Sequence, residues 1–190
     1  MSSHNSEQIK FWASRIKLSD RKAFEQFFRY LYPKLISYAM KFIKEKPAAN
    51  DVVQEAFVAF WQMRNTIKPE QSIVSYMYRA VRNRSLNRIE KKSNQAEPLD
   101  DITLKHHPVE FKDDRQNGEL ETMLNRWISN LPNRQQEAFR LSRFDGLDHA
   151  EIAEVMDVSE KTVNNHIVAA LSFLREKYEE YKKLNKQEKR

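Results

Sequence analysis

Only two glycines, Gly118 and Gly146, occur in the 190 residues. Tight hairpin turns between strands need a positive backbone φ, and glycine is the residue that supplies it without steric cost. A chain so poor in glycine has little means of folding strand back on strand. The same scarcity leaves no glycine-rich loop to cradle a nucleotide phosphate. The expected fold class is therefore all-α.

One sharp change of composition interrupts the helical pattern. Between residues 91 and 118, Ser93, Asn94, Gln95, Pro98, Asp100, Asp101, Pro108, Asp113 and Asp114 crowd together without sustained helical periodicity. This segment reads as a flexible acidic linker, and it divides the chain into two small helical domains. The expected organisation is an N-terminal module at 1–92, the linker at 93–118, a C-terminal module at 119–178 and a basic tail at 179–190, whose Lys-rich last residues, 181–190, are expected to fray into solvent. Modules of this size must be compact and helix-packed to be stable.

Several function classes are excluded early. There is no cysteine, hence no disulfide framework, thiolate nucleophile or thiolate metal site, which is compatible with a reducing cytoplasm. No apolar run approaches the roughly 18 residues that span a bilayer, so membrane insertion is not expected. The five histidines are scattered apart from His106 and His107, which lie in the linker with no partner at ligand spacing. A metal-dependent nuclease is therefore a poor fit, and no metal or other cofactor is expected. A formal charge of +6 favours a polyanionic partner without establishing one.

In the N-terminal module, Phe24, Phe27, Phe28, Leu31, Leu35, Tyr38, Ala39 and Phe42 follow a helical period, with Asp20 placed to cap the start. Pro33 is expected to kink or restart this helix. After Pro47, Asn50 or Asp51 can cap the next, in which Val52, Val53, Ala56, Phe57, Phe60 and Trp61 form one apolar side. Its other face carries Asp51, Gln54, Glu55, Val58 and Gln62, a pattern that also fits plain solvated surface. Ser72 can cap a further helix that packs through Ile73, Tyr76, Met77, Ala80 and Val81.

Charge is segregated on and after that helix. Residues 79–92 hold six basic residues against Glu90, a local +5, whereas 93–121 hold three basic and eight acidic residues, a local −5. Asn83 and Asn87 sit four apart among the arginines, with Tyr76 and Tyr78 one to two turns before them. Amides can bond base edges, guanidinium groups hold phosphates, and rings can stack on unpaired bases. Equally, the tyrosines fit core or rim positions and the arginines an ordinary charged face.

The segment 148–171 has the pattern of a helix-turn-helix. Asp148 and Glu151 form a capping box for a helix carrying Ile152, Ala153, Val155 and Met156 inward, and a turn falls at Asp157-Val158. Ser159 then caps a second helix that buries Val163, Ile167, Ala170, Leu171 and Leu174 and turns Glu160, Lys161, Asn164, Asn165 and Val168 outward. Such a helix can enter a major groove, although an ordinary helical hairpin shares the pattern.

The run NDVVQEAF at 50–57 with Trp61, the run YMYRAVRNRSLN at 76–87, and the stretch from Leu131-Pro132 to Leu174, in this order after an aromatic helix, resemble an extracytoplasmic-function (group 4) bacterial sigma factor. The resemblance covers nearly all of the chain outside the linker and the two ends. It implies a factor that binds core RNA polymerase and directs promoter recognition, melting and initiation, without chemistry of its own. By the same resemblance, Asp51, Gln54 and Glu55 contact core polymerase. Tyr76, Arg79, Arg82, Asn83, Arg84, Asn87 and Arg88 capture the minus-ten element as single-stranded DNA, with Asn83 and Asn87 near a flipped base. Ser159, Lys161, Thr162, Asn164, Asn165 and His166 read the minus-thirty-five element as duplex. It also implies an acidic linker threading toward the polymerase cleft, a cytoplasmic location and an anti-sigma factor as a further partner. The alternative from the residues alone is a free-standing helix-turn-helix regulator, against which stands the basic, Asn-bearing helix around Asn83.

Overall fold

The computed structural model describes residues 3–95 and 118–187. Every element among them is helical: α1 (Ser3–Lys17), α2 (Arg21–Ala39), α3 (Lys46–Gln62), a 3-10 turn (Arg64–Thr66), α4 (Ile73–Gln95), α5 (Glu119–Ser129), α6 (Asn133–Arg140) running into a π turn (Leu141–Asp145), α7 (His149–Met156) and α8 (Glu160–Gln187). These fall into two compact units that divide at Val109 and Glu110, inside the acidic segment. Most of that segment, His106 and His107 included, lies outside the described residues. No described helix is long and apolar enough to cross a membrane.

In the first unit, α2 packs against α1, α3 and α4, and α3 packs against α4. Phe27, Leu31 and Leu35 of α2, Val53 and Ala56 of α3, and Met77, Tyr78 and Val81 of α4 have no measurable exposure. Each large apolar side chain so buried stabilises the unit by roughly 1.5–3 kcal/mol. Asp20 caps α2 as expected, its carboxylate accepting the N–H groups of Lys22 at 2.9 Å and Ala23 at 3.2 Å. Ser72 does the same for α4, accepting from the Ser75 N–H at 3.1 Å.

Three features of this unit differ from the sequence reading. Helix α1, unannounced by any strong cap, is held by Trp12, Ala13 and Ile16, which are buried, and by a 3.0 Å bond from Trp12 Nε1 to Gln26. Helix α2 runs through Pro33 without a break. Buried Leu31 and Leu35 flank the exposed proline, and their packing outweighs the single backbone bond it removes. Helix α3 begins at Lys46, a turn before the expected caps Asn50 and Asp51. Pro47 sits in the first turn, where a missing N–H costs nothing, and buried Ala48 and Ala49 carry the helix into the core.

In the second unit, α5, α6 and α7 all pack on α8. Trp127, Ile128, Leu131, Phe139, Ala170 and Leu174 form one cluster, and Ile152, Val155, Met156, Val163 and Ile167 are buried on α7 and α8. The π turn closes at Gly146, whose φ of 74° is where a glycine is needed. The capping box is complete: Glu151 N–H donates to Asp148 at 2.8 Å, and Asp148 N–H donates to the Glu151 carboxylate at 2.9 Å. Asp157 turns the chain in the left-handed region at φ 57°.

Two expectations fail here. Leu171 is 40% exposed rather than buried. Residues 181–187 are not frayed but helical: α8 continues to Gln187, and the Tyr181 ring packs edge-on against Trp127 with centroids 6.0 Å apart; residues 188–190 lie outside the described residues.

Candidate nucleic-acid interface

On α3, Asp51, Gln54, Glu55 and Val58 are all exposed. They stand at i, i+3, i+4 and i+7 and so share one face. Asp51 is not a free acid: its Oδ2 lies 3.5 Å from the Arg88 guanidinium of α4, with both side chains substantially exposed. Next to this face is an apolar hollow of about 390 Å³ lined by Phe24, Phe28, Gln54, Phe57, Val58 and Trp61, among others. Sequence periodicity assigns these aromatics to the core, and only the packing shows that Phe24, Phe28 and Trp61 keep part of their surface open.

Helix α4 sorts its basic residues in a way that counting charges does not reveal. Tyr76, Arg79, Asn83 and Asn87 fall on one stripe, and Arg79, Asn83 and Asn87 are exposed. Tyr76 is half-buried, its ring centroid 5.9 Å from that of Phe60 and its hydroxyl donating to Met63 Sδ at 2.8 Å. Arg82, expected on the DNA backbone, is only 7% exposed. Tyr78 is fully buried, with its ring 5.0 Å from that of Tyr38, and cannot stack on a base. Arg84 is half-buried and bonds the Ala80 carbonyl at 3.3 Å, and Arg88 turns to Asp51.

The loop between α3 and α4 is pinned by a residue that the sequence did not single out. Arg64 lies over the Trp61 ring at 4.6 Å and donates to the Ser19 hydroxyl at 2.8 Å and the Trp61 carbonyl at 2.9 Å. Trp61 lies three residues before it, but Ser19 lies 45 residues away, and no local pattern signals that contact.

On α8, Lys161, Asn164, Asn165 and Val168 form an exposed stripe opposite the buried Val163, Ile167 and Ala170. Ser159 and Thr162 are spent on the helix start. The Ser159 hydroxyl accepts the Thr162 N–H at 3.1 Å and shares a hydrogen bond with the Thr162 hydroxyl at 2.8 Å. His166 is half-buried and lies off the stripe. Among the described residues no group of three or more His, Asp or Glu side chains could hold a metal ion.

Two models of sigma-70 regions match the chain, region 2 over residues 27–95 and region 4 over residues 122–174. The chain belongs to the sigma-70 family. The matched spans take in α4 with its Asn83 stripe and the α7–α8 pair as far as residue 174 with theirs, so both candidate surfaces fall within the matched regions. The sigma factor is similar over most of its length to extracytoplasmic-function relatives. It is 25% identical to the sigma-E factor of Escherichia coli, with 87% of this chain and 92% of that protein covered. It is 23% identical to the RNA polymerase sigma-H factor of Pseudomonas aeruginosa, with 86% and 90% covered. Among solved structures, CnrH in complex with the cytosolic domain of CnrY is similar in fold, with a TM-score of 0.61, 18% identity and 90% and 97% of the two chains covered. The sigma factor RpoE of Bartonella quintana, in complex with the anti-sigma factor NepR, has a TM-score of 0.59 at 18% identity, with 82% and 96% covered.

These findings make the chain an alternative sigma factor of the extracytoplasmic-function type, a factor for transcription initiation rather than an enzyme. Its partners are core RNA polymerase and promoter DNA. The free-standing regulator is not favoured, because the region 2 match covers the very helices that such a regulator would need for sensing or dimerisation.

Proposed function

We propose that this sigma factor is a group 4 member acting in the cytoplasm, and that its three exposed stripes divide the labour of initiation. The α3 face of Asp51, Gln54 and Glu55 docks on core polymerase, where an acidic surface meeting a basic one speeds and orients encounter. The α4 stripe of Tyr76, Arg79, Asn83 and Asn87 captures one unstacked base of the minus-ten strand, with Arg84 and Arg88 beside it toward the backbone. The α8 stripe, led by Lys161, Asn164 and Asn165, reads the minus-thirty-five duplex, while Ser159 and Thr162 hold that helix start in shape and His166 flanks it. Residues 1–92 and 119–178 serve as the two working domains, with 93–118 as the acidic connection. An anti-sigma factor is a further partner. Support for it comes from the likeness to a sigma factor solved with one.

The observation that carries this reading is the pairing of exposed amides with Arg79 on a single stripe of α4, inside the region 2 match. Unstacking a base costs a few kcal/mol, and neutral amides that bond base edges offset part of it only once the strand is open. Asn83→Ala is therefore expected to lower promoter opening, followed by permanganate reactivity of melted thymines, by about tenfold. Binding to core polymerase should be unchanged. Equal loss of both would count against a separate base-reading role for α4.

A further inference from the structure

The exposed stripe of α8 has a composition that limits which bases it can read. Lys161, Asn164, Asn165 and Val168 stand at i, i+3, i+4 and i+7, all exposed, and Val168 keeps 55% of its surface open. No arginine occurs on α8 before Arg175. The Ser159 and Thr162 hydroxyls are bonded to each other and to the helix start, and His166 is half-buried off the stripe. The stripe from Lys161 to Val168 thus presents one ammonium, two amides and one isopropyl group, with the exposed Glu160 carboxylate to one side at the helix start and the Ser172 hydroxyl one turn beyond.

Each has a defined partner in the major groove. An Asn side chain pairs in bidentate fashion with adenine, its Oδ1 accepting from N6 and its Nδ2 donating to N7. An apolar side chain contacts the thymine C5-methyl. Guanine is most often read by arginine, and only Lys161 could substitute. From Lys161 to Val168 the helix rises by about 10 Å, roughly three base-pair steps.

We infer that α8 selects a short run of A·T pairs in the upstream duplex element, with Asn164 and Asn165 on adenines and Val168 on a thymine methyl. The inference rests on the duplex-reading role proposed above for this helix. It fixes the chemistry of the preferred element, which that role leaves open.

The test uses holoenzyme assembled from bacterial core polymerase and the full chain. A duplex pool randomised across promoter length is selected for holoenzyme binding, and the recovered upstream element is sequenced. In a recovered duplex, thymines of that element are then replaced by uracil, which removes only the C5-methyl, and adenines by 7-deazaadenine, which removes only N7. Affinities are measured for wild type, Val168→Ala and Asn165→Ala.

An A·T run of two or three positions is expected. Uracil should weaken wild type by roughly threefold to fivefold and Val168→Ala not further, while 7-deazaadenine should weaken wild type by about fivefold or more and Asn165→Ala by much less. Guanine-dependent recovery, or losses that simply multiply in the variants, would overturn the inference and leave the sigma factor reading standing. If the chain did not enter a complex with core polymerase, or recovery did not depend on that complex, the sigma reading would fall and the inference with it.

Discussion

Asp51 sits at the meeting point of two surfaces, so its charge can be separated from its structural role by exchanging it with Arg88. The two side chains approach to 3.5 Å while remaining 57% and 38% exposed. Unit charges at that separation attract by about 1 kcal/mol in water, and exposed pairs of this kind net roughly 0.2–1 kcal/mol. Asp51→Arg loses that contribution and adds a repulsion of the same order against Arg88, a total of about 1–2 kcal/mol. This is tolerable for a domain stable by about 5–15 kcal/mol. The double variant Asp51→Arg/Arg88→Asp re-forms an opposite-charge pair, keeps the net charge, and leaves a positive group on the α3 face. If that face docks on polymerase through its acidity, the double variant should recover the melting temperature to within a degree or two of wild type. Its affinity for core polymerase should nevertheless stay lower by about tenfold at 50 mM salt. The deficit should shrink as the Debye length falls from about 10 Å at 0.1 M to 3 Å at 1 M. Thermal melts and fluorescence anisotropy titrations against core polymerase, without DNA, read the two quantities independently. Recovery of polymerase affinity together with the melting temperature would refute the reasoning, since Asp51 would then matter only through Arg88.

Asp148→Ala removes one half of the capping box and is expected to destabilise the second unit by about 1 kcal/mol, a fall of roughly 4–8 °C in its melting temperature by circular dichroism. For Asp20, the N–H of Ala23 and then the Arg15 guanidinium hold the carboxyl below its ordinary value of 3.8. Its charge therefore stabilises the first unit above that pH and ceases to as pH falls through the lowered value. Asp20→Asn should be less stable than wild type at pH 7, and urea titrations should show the gap closing below about pH 4. A chain ending at Tyr178 loses the Tyr181–Trp127 contact and should be less stable by roughly 1–3 kcal/mol, read as a lower melting temperature. A chain ending at Lys183 should melt like the whole, and equal melting of both would show that Tyr181 contributes nothing.

What could be read from the sequence was what is decided within one helical turn. Asp20, Ser72, Asp148 and Ser159 all cap helices as their spacing implies, because a cap is a side-chain oxygen accepting a hydrogen bond from an N–H two or three residues on. The start of α3 was misplaced by the same local logic. Asn50 and Asp51 have capping chemistry, but Ala48 and Ala49 find burial only if the helix begins earlier. Pro33 was misjudged because the cost of a proline is local, whereas the packing of Leu31 and Leu35 that offsets it is tertiary. Helix α1 carries Trp12, Ala13 and Ile16 at helical spacing, a short apolar signal with no cap beside it to mark the helix start.

The DNA surfaces were harder to read, for a reason that lies in α4 itself. This helix is packed by α1, α2 and α3, so it has no single polar face onto which its charges can be assigned. Six basic residues at 79–92 suggest a broad phosphate-gripping surface. Packing buries Arg82 and half-buries Arg84 and Arg88, the latter beside Asp51, leaving Arg79 and Lys91 exposed with the two amides between them in sequence. The α8 stripe has the same character, with one lysine, two asparagines and a valine. On both stripes the exposed amides are thus at least as numerous as the exposed cations. Phosphate contacts supply most non-specific affinity, while base contacts supply selectivity. A protein so built is expected to bind promoter DNA more weakly alone than when core polymerase holds the duplex, because its amides can then choose among bases without having to supply the phosphate grip.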